Sequence, residues 1–408
     1  MLDFLRFAIP IIPTHVRSID NHHWFNGDIR DYGVPAATRH VSKDDYGNTT
    51  TGELYHPYES LPSDYTDMAV KFFVNTMNTV PYVEIKASPL KLLQGHNVYG
   101  FECIELSSDH MLGMFMEAFP QLIPILDFAN TEVLCVDTTY LIRLPHQSMV
   151  QPTLDYMANL SAGHRKARQV KYENYITYGN DAASVRPKIY GKFEEVKNQL
   201  NKIQKKADKG CMRSKSLVMA MHDALPFANA VLRLEARICK TYMSKNGIPT
   251  NLYQLIKFQQ DQPELLLRLW HVAFDPILNT MKGKYMNFSS DGEILDLLQT
   301  KLSTVTKTGK PSHIKANNAF KFYSLMRQVG FAATKKLYSE AQFYKCLNSL
   351  LDCGISKSHL QNLHKNPNGK VIPFVRLFEL KMADQQPADY QIPVSQYSPK
   401  KPGLHLVA

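Results

Sequence analysis

VEIKASPLKLLQGHNVY, residues 83–99, is the stretch from which the fold is best read. It opens as a short strand, with Tyr82, Val83 and Ile85 in alternation, and breaks at Pro89, which ends regular pairing. It then delivers Gln94, Gly95, His96 and Asn97 together. A glycine that lets backbone approach closely, beside a histidine and two amides, suits a phosphate or metal site. A strand followed by a polar turn is the plain alternative, and spacing does not separate the two.

Outward from this block the chain alternates. In MLDFLRFAIPIIP (1–13), Asp3 and Arg6 interrupt the apolar run, so it reads as a first β-strand rather than a signal peptide. Residues 1–80 are short apolar runs separated by Asp, Asn, Gly and His. The segment 110–129 has helical periodicity broken at Pro120 and Pro124. TEVLCVDTTYLIRL (131–144) and VLRLEARI (231–238) read as strands, and ENYITYGNDAASVRPKIYGKF (173–193) as two strands joined at Gly-Asn-Asp. Residues 193–208 form a lysine-rich helix, and from about 250 the pattern turns helical. The tail after Lys381, rich in Pro, Gln and Ser, reads as extended. The expected architecture is α+β. A mixed or antiparallel sheet domain occupies residues 1–265 and a mainly helical domain residues 286–408, with the switch between 250 and 286.

Composition narrows the function. Lys+Arg 47 against Asp+Glu 37 gives a net charge of +10, which favours a polyanionic partner because each neutralised phosphate releases counterions. Six cysteines lie scattered without a CxxC pair, so they read as reduced thiols rather than a zinc site or disulfide framework. No apolar run approaches the ~20 residues of a membrane span, and a soluble protein is expected.

Certain residues stand out chemically. Tyr190 in RPKIYGKF (186–193) is flanked by Arg186, Lys188 and Lys192, cations that would hold phosphates and depress its phenol pKa. Asp137 and Glu235 sit in apolar strand patterns, where a carboxylate is costly unless something neutralises it. Magnesium, which takes one or two carboxylates and keeps several waters, would do so. For Glu235 an ion pair with Arg233 or Arg237 on the same strand face serves equally. His96 is a candidate third ligand and Asp3 a weaker fourth. His164, Arg165, Lys166, Arg168, Lys171, Tyr172 and Tyr175 mix charge for a backbone with rings for stacking bases. Lys202, Lys205, Lys206 and Lys209 form a stripe that a solvated helix face would also show. SLLDCGISKSHLQNLHK (349–365) fits a helix-turn-helix, with Gly354 at the turn and Ser356 opening the second helix, or an ordinary helical hairpin.

Seven blocks occur together and in order: the first block above, HPYESLP (56–62), VDTTY (136–140), LRLEARI (232–238), GIPTNLY (247–253), MNFSSDGEILDLL (286–298) and CGISKSHLQNL (353–363). Over nearly its full length the chain resembles the gene II replication initiators of filamentous bacteriophages, which are rolling-circle nicking enzymes. The resemblance implies a site- and strand-specific endonuclease acting on origin DNA in the host bacterial cytoplasm, with Mg²⁺ or Mn²⁺. It implies host helicase and DNA polymerase as partners, no membrane association, and leaves oligomerisation on DNA open. It casts Tyr190 as the nucleophile that becomes linked to DNA and Lys192, in a Tyr-x-Lys frame, as a phosphate contact. Acidic residues in comparable strands of related initiators favour Asp137 and Glu235 as metal ligands, with His96 the candidate third. Arg165, Lys166, Arg168, Lys171, Arg186 and Lys188 are expected DNA contacts from their own charge. Two departures stand out. Cys135 occupies a position where relatives tend to carry Arg, whose contact is then either absent or supplied elsewhere, Arg143 being the candidate, and the His-hydrophobic-His motif of the wider nickase superfamily is absent. Met286 matches an internal start, implying a separate product of residues 286–408. A non-catalytic origin-binding protein, or a hydrolytic nuclease needing carboxylates but no covalent tyrosine, are the rival readings.

Overall fold

The computed structural model describes residues 1–34, 38–43, 49–55, 58–162, 165–169, 175–281, 291–305, 310–364 and 379–398. His164, Lys171, Tyr172 and Met286 lie outside the described residues.

The centre is a sheet whose strands, in chain order, are β1 (Leu2–Pro10), β2 (Glu59–Pro62), β3 (Asp67–Phe73), β4 (Tyr82–Ala87), β5 (Glu132–Arg143), β6 (Ser161–Ala162), β7 (Arg165–Gln169), β8 (Tyr175–Tyr178), β9 (Val185–Gly191) and β10 (Val231–Cys239). In space they run β6-β7-β8-β9-β10-β5-β1-β4-β3-β2. Every neighbouring pair is antiparallel. The fold is therefore α+β with an antiparallel sheet, and the segments read as strands from sequence at 1–13, 131–144, 175–193 and 231–238 supply β1, β5, β8, β9 and β10.

Period-two alternation gives the sheet two chemically distinct faces. One face carries Leu5, Phe7, Ile9, Val136, Tyr140, Leu234 and Ile238, all nearly inaccessible. Helices α1 (Pro89–Gln94), α2 (Ile104–Ala118), α3 (Lys192–Ala207), α4 (Met212–Ala224) and α5 (Leu265–Leu278) surround the sheet. Helix α5 seals the apolar face: Trp270 lies edge-on to Tyr140, and its Nε1 donates to the Leu234 carbonyl at 3.0 Å. This first core continues through Met281, so it includes the whole of α5 beyond residue 265.

Pro89 differs from its sequence reading. It ends β4 but opens α1 as the first helical residue, where proline's missing N–H is no loss and its fixed φ suits the helix. Gly95 closes that helix at φ +80°, a left-handed conformation. A Cβ there would fall 2.9 Å from the Tyr65 ring.

A second core gathers α6 (Asp291–Leu302), α7 (Ile314–Val329), α8 (Glu340–Asp352) and α9 (Lys357–Asn362). Gly354, at φ +94°, turns the chain after α8, and the Ser356 hydroxyl accepts from the His359 N–H to cap α9. Helix α9 is six residues long with Ser358, Leu360 and Asn362 buried. It meets the sheet domain through Asn159–Asn362 at 2.9 Å and Gln361–Ser161 at 2.6 Å. That arrangement is a helical hairpin packed against its neighbour domain. Within residues 382–398 the tail is not simply extended: it opens with a 3-10 turn (Met382–Asp384) and then runs on without a strand, bonded to the sheet domain through Gln385, Gln386, Tyr390, Ser395 and Tyr397.

Candidate active site

The second face of the sheet is polar, and register assembles it. Across β9, β10 and β5 the directly opposed sets are Tyr190–Arg233–Leu141, Lys188–Glu235–Thr139 and Arg186–Arg237–Asp137. Opposed residues in antiparallel strands share a face. Strand β1 enters with an irregularity: Leu2 opposes Thr138 but Phe4 opposes Asp137. Asp3 is the extra residue of this bulge, which turns its carboxylate onto the polar face.

Asp3 is the hub of a buried cluster. Its Oδ1 meets Arg233 Nη2 at 2.7 Å and accepts from Asn97 Nδ2 at 2.7 Å. The Asn97 amide also accepts from Lys192 Nζ at 2.9 Å, and the Asn97 carbonyl accepts from Arg233. Lys192 additionally meets Glu195 at 2.5 Å. One asparagine thus ties the loop after α1 to β1, β10 and the start of α3. Burial alone would raise the Asp3 carboxyl, but Arg233, Lys192 and Asn97 outweigh it and hold it at about 2. Burial, reinforced by Arg233, brings the Lys192 ammonium down to about 8 against the opposing pull of Glu195.

Tyr190 is only 9% exposed. Its hydroxyl donates to Glu235 Oε2 at 3.3 Å. The Lys188 and Lys192 ammonium groups lie 4.9 and 5.9 Å from its ring centroid. The expected depression of the phenol is not found. Burial pushes the phenol well above its ordinary value, only partly countered by Arg233. Desolvation of the anion outweighs the attraction of the cations around it.

Asp137 is buried and bound through both oxygens by Arg237, Nε–Oδ1 at 2.7 Å and Nη2–Oδ2 at 2.6 Å. Burial holds its carboxyl above the usual range against the pull of Arg237. Arg143 does not take over the role suggested for it: its guanidinium bonds the carbonyls of Asn229 and Phe227. Glu235 makes neither of the ion pairs weighed from sequence, since Arg233 pairs with Asp3 and Arg237 with Asp137. It is left to accept from Tyr190.

His96 sits elsewhere, edge-on to Tyr99 at 4.7 Å, with Nδ1 accepting from the Val98 N–H at 3.4 Å. Burial, then Lys192 and Arg233, lowers it to about 4, so the ring is neutral. Among the described residues, no three His, Cys, Asp or Glu side chains converge as a metal-binding group. The His96–Asp137–Glu235 set is therefore not assembled. Asp137 and Glu235 do share the polar face on adjacent strands, the donor type magnesium prefers. Lys192, cast as a phosphate contact, is fully buried in the Asp3 cluster.

Arg186 lies on the same face, with Nη2 3.3 Å from Cys239 Sγ, and Lys188 spans the Tyr175 and Tyr190 rings. Arg165, Lys166 and Arg168 fall in β7, two strands from Tyr190. Lys202, Lys205, Lys206 and Lys209 are exposed. Sequence reasoning named Arg233 only as a candidate partner of Glu235 and gave no sign of its pairing with Asp3. Glu195 gave no signal. All six cysteines are free. Among the described residues no helix is long and apolar enough to cross a membrane.

Fold and site define an α+β protein whose antiparallel sheet bears, on one face, a tyrosine with buried carboxylates and cations. Comparison with known proteins places that class. Residues 1–262 match the N-terminal family of the phage replication-associated protein encoded by gene II, and residues 305–396 match its C-terminal counterpart. The chain is 32% identical to the replication-associated protein of Enterobacteria phage M13 over 370 residues, covering 89% of this chain and 90% of that protein. It is equally 32% identical to that of Salmonella phage IKe over 364 residues, covering 86% and 85%. The chain belongs to the gene II replication-associated protein family of filamentous phages.

Proposed function

We propose that this chain starts rolling-circle replication by nicking the viral-strand origin through tyrosine transesterification, and later rejoins the displaced strand into a circle. The observation that carries the reading is the Tyr190–Glu235 hydrogen bond on a face lined with Arg186, Lys188 and Arg237. Glu235 is the proton acceptor that a buried, high-pKa phenol requires. In the forward step the Tyr190 oxygen attacks phosphorus and its proton passes to Glu235. The P–O3′ bond breaks, the departing 3′ oxygen takes up a proton, and the 5′ end stays on Tyr190 as a phosphodiester. In the closing step a 3′-hydroxyl attacks that ester, and the tyrosine oxygen leaves and recovers a proton. Bond energy is conserved because phenolate is a competent leaving group.

Asp137 and Glu235 are the side chains that would hold Mg²⁺ or Mn²⁺, with Arg237 displaced from Asp137. The ion supplies charge neutralisation at the scissile phosphate when bound. Arg186 and Lys188, with Arg165, Lys166, Arg168 and Lys171, serve the DNA backbone. Origin DNA is the substrate, in the host bacterial cytoplasm, where host polymerase extends the exposed 3′-hydroxyl and host helicase unwinds the duplex ahead of it.

Tyr190's burial favours one rival, an origin-binding protein without chemistry. Purified protein and Mg²⁺ incubated with a supercoiled plasmid carrying the cognate origin decide between them on denaturing gels. Nicking with a protein–DNA adduct, both lost in Tyr190→Phe while origin binding persists, is the expected result. Binding without cutting under varied metals would establish the rival.

A further inference from the structure

Residues 382–397, remote in sequence from the site, run back across the sheet domain as a strap. Strand β5 outruns β1, whose pairing starts with Leu2 opposite Thr138, so β5 lacks a strand partner on that side at buried Leu141. Unpaired buried backbone groups are strongly disfavoured. The Gln385 side-chain amide satisfies both: its Oε1 accepts from the Leu141 N–H at 2.8 Å and its Nε2 donates to the Leu141 carbonyl at 2.9 Å. Gln386 bonds the Gly100 carbonyl at 3.0 Å. Ser395 meets His110 Nδ1 at 3.0 Å. The Tyr397 ring lies on Gly113 so closely that a Cβ there would fall 2.1 Å from it. The seat is built to receive this segment.

Tyr390, midway along, touches the loop that feeds the site. Its hydroxyl donates to Gln94 Oε1 at 2.9 Å, and its ring sits edge-on to Tyr99 at 5.4 Å. The Gln94 amide in turn donates to the carbonyls of Tyr99 at 2.7 Å and His96 at 3.2 Å. Those bonds close the turn that delivers Asn97 between Asp3 and Lys192. Gln94 therefore has one end on the strap and the other on the loop.

We infer that Tyr390, acting through Gln94, is a positioning residue for strand cleavage: the strap fixes the 95–99 turn and hence the Asn97 amide in the cluster beside Tyr190. This rests on the nicking reading above. The test uses full-length protein and compares wild type, Tyr390→Phe, Gln94→Met and the double variant. Tyr390→Phe keeps the ring on Tyr99 and removes only the donor. Adduct formation at saturating origin DNA is expected to slow about tenfold, the scale on which misplaced groups cost rate, with KM for the DNA unchanged. Tyr390→Phe should add nothing in the Gln94→Met background. Amide hydrogen exchange at Asn97 and Val98 should quicken by about the same factor in each variant. Wild-type rate and wild-type exchange in Tyr390→Phe would overturn the inference, as would additive losses in the double variant. If wild type forms no adduct, the nicking reading falls, and the strap's hold on the loop is decided by exchange alone.

Discussion

Asp3 shows how one carboxylate can be forced into a sheet interior and kept ionised. The bulge turns it inward, Arg233 neutralises it, and Asn97 and Lys192 complete its surroundings. An ordinary aspartate titrates near 3.8, whereas this one is held at about 2. The unfolded chain therefore binds the proton first as pH falls. The stabilisation is fully present above about pH 4 and is lost as pH drops through 2, roughly 2 kcal/mol in all. Urea unfolding at about pH 5 and about pH 2.5 should show wild type losing more stability than Asp3→Asn over that interval. Equal losses would mean the carboxylate is not preferentially ionised in the fold. At the same scale, Glu235→Gln should keep origin binding and reduce adduct formation by about 10²–10⁴, the range of a removed proton acceptor, read on the same denaturing gels.

At the scale of elements, α1 and its closing glycine matter more than their length suggests. Six helical residues and a left-handed Gly95 bring Asn97 into the Asp3–Lys192 cluster. Gly95→Ala would place a methyl against Tyr65 and Ala220 in a conformation that L residues avoid. A loss of about 1–3 kcal/mol in unfolding free energy is expected, with nicking falling further than stability alone accounts for. The same block shows the reach of sequence reading. Val83 and Ile85 announce β4 because alternation is local, Asp137 and Glu235 stand out because charge in an apolar strand is conspicuous, and Tyr190 because cations flank it in RPKIYGKF. What could not be read was register. Arg237 facing Asp137 rather than Glu235, and Asp3 meeting Arg233, depend on which strands lie side by side and on one bulge, which are non-local properties. Helix α1 was missed because proline ends a strand and opens a helix with equal ease.

Across the whole molecule the two cores divide the chain later than the change in sequence pattern implies. The sheet's apolar face is covered by α5, whose Leu266, Leu269, Trp270, Phe274 and Ile277 are at most 2% exposed. Each such side chain contributes about 1.5–3 kcal/mol by burial. Together they rival the entire stability of a domain, about 5–15 kcal/mol. Trp270 also holds the Leu234 carbonyl, beside the strand residues that present Arg233 and Glu235. A chain ending at residue 265 would thus bare the underside of β10 and β5, directly behind the site. Chains ending at 265 and 281, compared by circular dichroism and thermal unfolding, should behave differently. The longer one should unfold cooperatively, at a lower temperature than the full chain because it lacks Gln385 on Leu141. The shorter one should show no cooperative transition. Cooperative unfolding of both with the same midpoint would mean that α5 belongs energetically to the helical domain, and that the sheet closes its core without it.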